Sequence, residues 1–130
     1  MARFLYILLV IVLFGVLIAI HEFGHFITAK LLGVKVNEFA IGMGPALWTK
    51  QKGETLYALR AFPVGGYCAM EGEDEDTGDP RAFSRQKGWK KIIILCAGSF
   101  MNFLLGLIIV VALALGSSRV AVPVVTELLD

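Results

Sequence analysis

Two long apolar stretches, residues 4–27 and 92–115, decide most of what this chain can fold into. Each is long enough to cross the roughly 30 Å hydrocarbon core of a bilayer as a helix, which takes about 20 residues. The chain is 57% hydrophobic, against about 45–50% in an average soluble domain, and the excess sits in these two blocks. The expected fold class is therefore an α-helical integral membrane protein. It has two transmembrane helices, a membrane-associated antiparallel β-loop between them, and the lipid bilayer as its first partner.

A secretory signal peptide is the rival reading of the first block. Signal sequences carry a short apolar region, about 7–15 residues, ending at small residues. Here the apolar run is longer and continues into His21-Glu22-Phe23-Gly24-His25 with no Ala-x-Ala pattern.

A net charge of +1 gives no electrostatic case for nucleic acid. The distribution of charge says more than the sum. All Lys and Arg except Arg3 and Arg119 lie between Lys30 and Lys91. By the positive-inside rule the loop between the spans is cytosolic and both termini are extracytoplasmic, as in a multi-pass protein of the cell membrane. Cys68 and Cys96 form no CxxC pair, so neither a zinc ribbon nor a thioredoxin-like site is indicated.

Along the chain four regions separate. Residues 1–33 form the first span, with Gly33 placed to end its helix. Residues 34–91 form the cytosolic or membrane-dipping region: strands at 34–41 and 55–62, turn signals at Gly42-Met43-Gly44-Pro45 and residues 49–54, and closure at Pro63–Tyr67. Backbone of this kind near a membrane has to be covered by protein or line a wet cavity. The acidic run Glu71–Asp79 lacks the 12-residue EF-hand spacing and reads as a solvated loop. Phe83, Trp89, Lys90 and Lys91 have interfacial anchor composition. Residues 92–116 form the second span, with the amide Asn102 inside it. Residues 117–130 read as a linker and the opening of a further domain.

His21-Glu22-Phe23-Gly24-His25 fits H-E-x-x-H. Helical residues four apart differ by about 40° of arc and one turn of rise, so both imidazoles leave one face and can hold one metal ion. Glu22 lies beside that ion, where its carboxylate can take a proton from metal-bound water. Zinc is the expected ion, because it accepts imidazole nitrogen and catalytic sites keep one position open for water. The motif has three fixed positions and also occurs on soluble helices as ordinary surface polarity. Within an apolar span, however, an ionisable group costs at least about 2.5–3.5 kcal/mol, and such groups usually serve a site.

With these residues in view, the chain resembles the bacterial branch of the site-2 protease family. The resemblance rests on five segments in order: His21–His25; Glu38-Phe39-Ala40-Ile41-Gly42-Met43-Gly44-Pro45; Arg60–Tyr67; Met70–Glu73; and Ala97-Gly98-Ser99-Phe100-Met101-Asn102-Phe103. It implies a zinc-dependent intramembrane endopeptidase, with His21 and His25 as metal ligands and Glu22 as general base. Asn102 would help hold an extended substrate strand, and Gly42, Met43 and Gly44 would pair with it by strand addition. The implied partner is a transmembrane protein substrate, such as an anti-sigma factor or a signal-peptide remnant. The family usually has proline at the position of Ser99. It takes a third ligand, an aspartate, from a later helix beyond one or two PDZ domains, so the chain reads as an N-terminal part whose PDZ-like region opens at 117–130. Glu127 and Asp130 are no substitute for that ligand. For Asn102 a purely structural interhelical hydrogen bond stands as the alternative. For the whole chain the alternatives are a catalytically incomplete module that binds transmembrane segments and, more remotely, a divalent-metal transporter.

Overall fold

A computed structural model of the protein describes residues 1–116; the expected linker and PDZ-like opening, with Glu127 and Asp130, lie outside them. Helix α1 (Ala2–Leu31) contains no proline and no charge between Arg3 and Glu22, so nothing in its first five turns competes with helical hydrogen bonding. Its end is a Schellman motif. Gly33 takes φ +82°, the amide of Val34 donates to Ala29 O at 2.9 Å, and that of Gly33 to Lys30 O at 3.2 Å. Ala29 and Val34, which this turn brings together, are fully buried. Helix α2 (Gly88–Gly116) runs unbroken through Ser99, so the missing proline leaves the helix intact. Lys90 Nζ donates to Leu32 O at 2.9 Å, which places the start of α2 at the end of α1 and makes the pair antiparallel.

Between the helices lie strands β1 (Val36–Lys52) and β2 (Thr55–Met70), joined at Gly53-Glu54. Both are longer than expected. Residues 42–45, expected as a turn, continue β1, because Gly42 (φ +86°) and Gly44 (φ +85°) bend the strand without ending it. The pairing is also richer than one antiparallel hairpin. Antiparallel pairs run from Lys52↔Thr55 to Val36↔Met70, while a second set, from Glu38↔Leu56 to Ile41↔Leu59, rises together in both numbers and is parallel. The hairpin folds back on itself. Residues 36–41 lie in the middle, flanked by 66–70 and 55–59, with 48–52 outside 55–59.

One apolar core forms where the sheet meets the ends of both helices: Ala29, Val34, Val36, Phe39, Cys68, Met70 and Ile94, flanked by Phe26, Leu32, Tyr57 and Phe83. Phe26 stacks at 4.9 Å from Phe39 and edge-on at 5.9 Å from Tyr57. The bent half of the hairpin lies along the middle of α1, with the Pro63 carbonyl seated on Gly15, where a side chain would collide. Elsewhere both helices are bare. Every large apolar side chain from Phe4 to Leu17 is exposed, as are most from Ile92 to Leu115. Both helices are long and apolar enough to cross a membrane, and an apolar surface of this extent is foreign to soluble monomers.

The acidic run is solvent-exposed but tied down. Glu71 accepts from Asn37 Nδ2 (2.8 Å) and Lys35 Nζ (3.1 Å), and Asp76 pairs with Arg85 (2.8 Å). The hairpin turn is anchored through Glu54, which accepts from Lys30 Nζ at 2.8 Å and from both terminal nitrogens of Arg81 at 2.6 and 2.9 Å. Arg81 Nε also donates to Gly33 O at 3.1 Å, joining turn, helix end and acidic loop.

These bonds hold the Glu54 carboxyl well below its usual 4.5, at about 2. The stabilisation is present above 4.5 and is lost as pH falls through that window towards 2, because the unfolded chain then binds the proton first. Glu54→Gln should lower stability by about 1 kcal/mol at neutral pH, the upper range for a partly exposed pair. It should also flatten the acid limb of a thermal-midpoint profile; a variant profile parallel to wild type would refute this role.

Candidate metal centre

The H-E-x-x-H run occupies the last turns of α1, on the side facing α2. Close approach there depends on Gly24. A Cβ at Gly24 would lie 2.6 Å from Ala97 O and 2.8 Å from Met101 Cγ, so the backbones meet where His21 and His25 emerge. The two Nε2 atoms are 3.1 Å apart, with ring centroids at 4.8 Å and planes at 78°. Two imidazoles bound tetrahedrally at the usual zinc distance of 2.0–2.1 Å would hold their nitrogens about 3.3 Å apart. The pair thus fits a shared zinc ion with almost no movement. His25 Nδ1 lies 2.7 Å from Ile94 O of α2. A carbonyl can only accept, so Nδ1 carries the proton and Nε2 keeps its lone pair, which accepts from His21 Nε2 at 3.1 Å and could turn to a metal.

Glu22 borders two cavities. One, of about 460 Å³, is shared with His25, Tyr67, Cys68, Glu73 and Asp74 and opens towards the acidic loop. The other, of about 350 Å³, is shared with His21, Asn102, Phe14, Leu17 and Ile18. The Asn102 Oδ1 atom is buried and meets no protein donor. Among the described residues, no structural interhelical bond is made by that oxygen.

Gly42, Met43 and Gly44 do not line either cavity at Glu22. Gly42 lines a third, apolar cavity of about 370 Å³ against Val12, Val16 and Ala19 of α1. The Gly44 carbonyl is held by Arg60 Nη1 at 2.9 Å, and Met43 is largely exposed. Arg60 is fixed in turn by Glu38 Oε1 at 2.8 Å, an oxygen that also accepts from Tyr67 OH at 2.7 Å.

Among the described residues no third His, Cys, Asp or Glu joins the histidine pair in a metal-binding cluster. Cys68 is near, but burial and the charges of Glu22 and Glu73 push its thiol up to about 12, so it stays protonated at neutral pH. Sequence reasoning missed Tyr67, Cys68, Glu73, Asp74, Ile94 and Gly98 as parts of this neighbourhood. No local signal marks them: pairing of 66–70 against 36–41 brings the end of β2 beside α1, and the crossing of α2 brings Ile94 and Gly98.

The chain belongs to peptidase family M50, the site-2 proteases, whose model matches residues 9–128. It is 46% identical over 113 residues to a protein of Clostridium perfringens named provisionally as a zinc metalloprotease, covering 87% of this chain and 34% of that protein. A similarly named protein of Clostridium acetobutylicum is 44% identical over 125 residues, covering 96% of this chain and 37% of the relative. Zinc metalloprotease Rip1 of Mycobacterium tuberculosis is 40% identical over 104 residues, 75% of this chain and 26% of that protein. The chain thus spans about a third of the length of the clostridial relatives.

If Gly24 sets the helix spacing, Gly24→Ala should destabilise the chain by roughly 1–3 kcal/mol, as overpacking does. Gly106→Ala, on the same helix pair but with nothing near its Cβ, should be neutral or slightly stabilising. Equal thermal midpoints for the two variants would refute the close-contact account.

Proposed function

We propose that this chain carries the zinc-binding and water-activating part of an intramembrane endopeptidase. The observation that carries the reading is the pair of Nε2 atoms 3.1 Å apart, beside Glu22, on a helix otherwise clothed in exposed apolar side chains. Lipid covers α1 and α2 over most of their length. The loop of residues 34–91 is cytosolic and both ends are extracytoplasmic, by its Lys and Arg content.

His21 and His25 would hold a zinc ion, which when bound would acidify water and polarise a peptide carbonyl. Glu22 takes the proton of that water and passes it to the departing amide nitrogen, so water is split across the cut bond. Both cavities at Glu22 serve this step: the polar one admits water past Glu73 and Asp74, and the one at Asn102 receives substrate. The substrate is an extended segment of a transmembrane protein, of the anti-sigma-factor or signal-peptide-remnant kind. Among the described residues, 66–70 have a strand partner on one side only, and Tyr67 to Met70 border the Glu22 cavity, which suits strand addition there. Gly42, Met43 and Gly44 extend that platform along α1. Catalytic zinc takes three protein donors, so the complete site draws one from outside the described residues.

The second reading, a membrane module that binds such segments without turnover, is favoured by the same shortage of a third donor. Zinc per chain and cleavage of a transmembrane peptide, measured in detergent with and without the remaining helices of a relative, separate the two. We expect zinc to be lost in His21→Ala. Glu22→Gln should keep zinc and cut at least about 100-fold more slowly, as for a lost general base. Zinc uptake without cleavage in any sample would favour the binding module; no zinc in any sample would overturn both assignments to the metal.

A further inference from the structure

Helix α2 meets the histidines at two backbone points one turn apart. The Ile94 carbonyl lies 2.7 Å from His25 Nδ1. Gly98, buried on α2, lies over the other side of the pair. A Cβ built there would stand 2.6 Å from His25 Nε2, 2.7 Å from His21 Nε2 and 2.7 Å from His21 Cε1. No ordinary side-chain carbon comes so near, and the atoms it would strike are the metal-binding nitrogens themselves. In a helix the amide of residue 98 bonds the carbonyl of residue 94. Gly98 therefore sits on the hydrogen bond whose acceptor His25 shares, and a side chain there would fill the notch through which the imidazole reaches that carbonyl.

We infer that Gly98 is a positioning residue for the metal centre: its missing side chain forms a notch that lets Ile94 O fix the His25 tautomer and leaves both Nε2 atoms facing one ion. This rests on the reading of His21 and His25 as metal donors, and it adds a requirement that H-E-x-x-H does not contain. The orienting partner of His25 comes from the backbone of a second helix, 69 residues away in the chain. The glycine here answers to space alone; no left-handed φ is involved.

The test has two readouts. In the metal-free chain, long-range proton–nitrogen spectra of the histidine rings should show His25 protonated at Nδ1. In Gly98→Ala that preference should be lost. Zinc affinity, measured by competition in whichever of the samples above takes up zinc, should fall about 10- to 100-fold in Gly98→Ala, the usual cost of removing an orienting partner. Gly106→Ala, whose Cβ meets open space on the same helix, should match wild type in both. Wild-type zinc affinity in a folded Gly98→Ala would overturn the inference while leaving the metal reading intact. Wild-type His25 protonated at Nε2 would overturn it whether or not the variant folds. No zinc on wild type or Gly106→Ala would overturn the metal reading, and this inference with it.

Discussion

Everything at the metal centre hangs on how closely α1 and α2 cross. At Gly24 the backbone of one helix touches the carbonyl of Ala97 on the other, and Gly98 keeps the next turn clear. With helices so near, an imidazole on α1 reaches a carbonyl on α2 in one hydrogen bond. Wider spacing would leave His25 without an orienting partner, and its ring free to rotate and to change tautomer. Small residues at helix contacts are the usual device where apolar surroundings supply no hydrophobic drive to associate.

The sheet depends on the same crossing. Its apolar core joins Val36, Phe39, Cys68 and Met70 of the strands to Ala29 at the end of α1 and Ile94 in the early part of α2, so the hairpin packs where the helices meet. Ion pairs from Glu54 and Arg81 fasten its turn to the end of α1, outside the apolar region, where charges remain hydrated. The bent half extends in the other direction, along the middle of α1, where Met43 pairs with Phe62 and the Gly44 carbonyl accepts from Arg60 Nη1. One hairpin thus joins a polar anchor at one end to an apolar face at the other, with residues 66–70 beside Glu22 between them.

The polar atoms around Glu22 divide by their neighbours. Arg60, Glu38 and Tyr67 bond one another and stiffen the sheet, with Arg60 Nε left buried and without a partner. Asn102 Oδ1 is left without a donor, and Glu73 and Asp74 border the water-accessible side. A buried acceptor with no partner is costly to the folded chain.

What the sequence determined by itself is local and periodic. The two apolar blocks made the helices unavoidable, Gly33 ended the first, and the four-residue spacing put both imidazoles on one face of α1, because each of these follows from neighbours within a few residues. The resemblance named the family before any geometry was available. The strands were legible in position and not in length. Gly42 and Gly44 read as a turn, yet a glycine with positive φ can bend a strand as well as end it, and only the partner strand decides which. What tertiary structure alone decided is long-range: the fold-back that pairs residues 38–41 on both sides, the arrival of Cys68 and Glu73 at Glu22, and the seat of His25 on Ile94 across 69 residues. Gly98 shows the reason most plainly. In sequence it is a small residue in an apolar helix, and its importance lies wholly in the side chains of another helix that occupy the space it leaves.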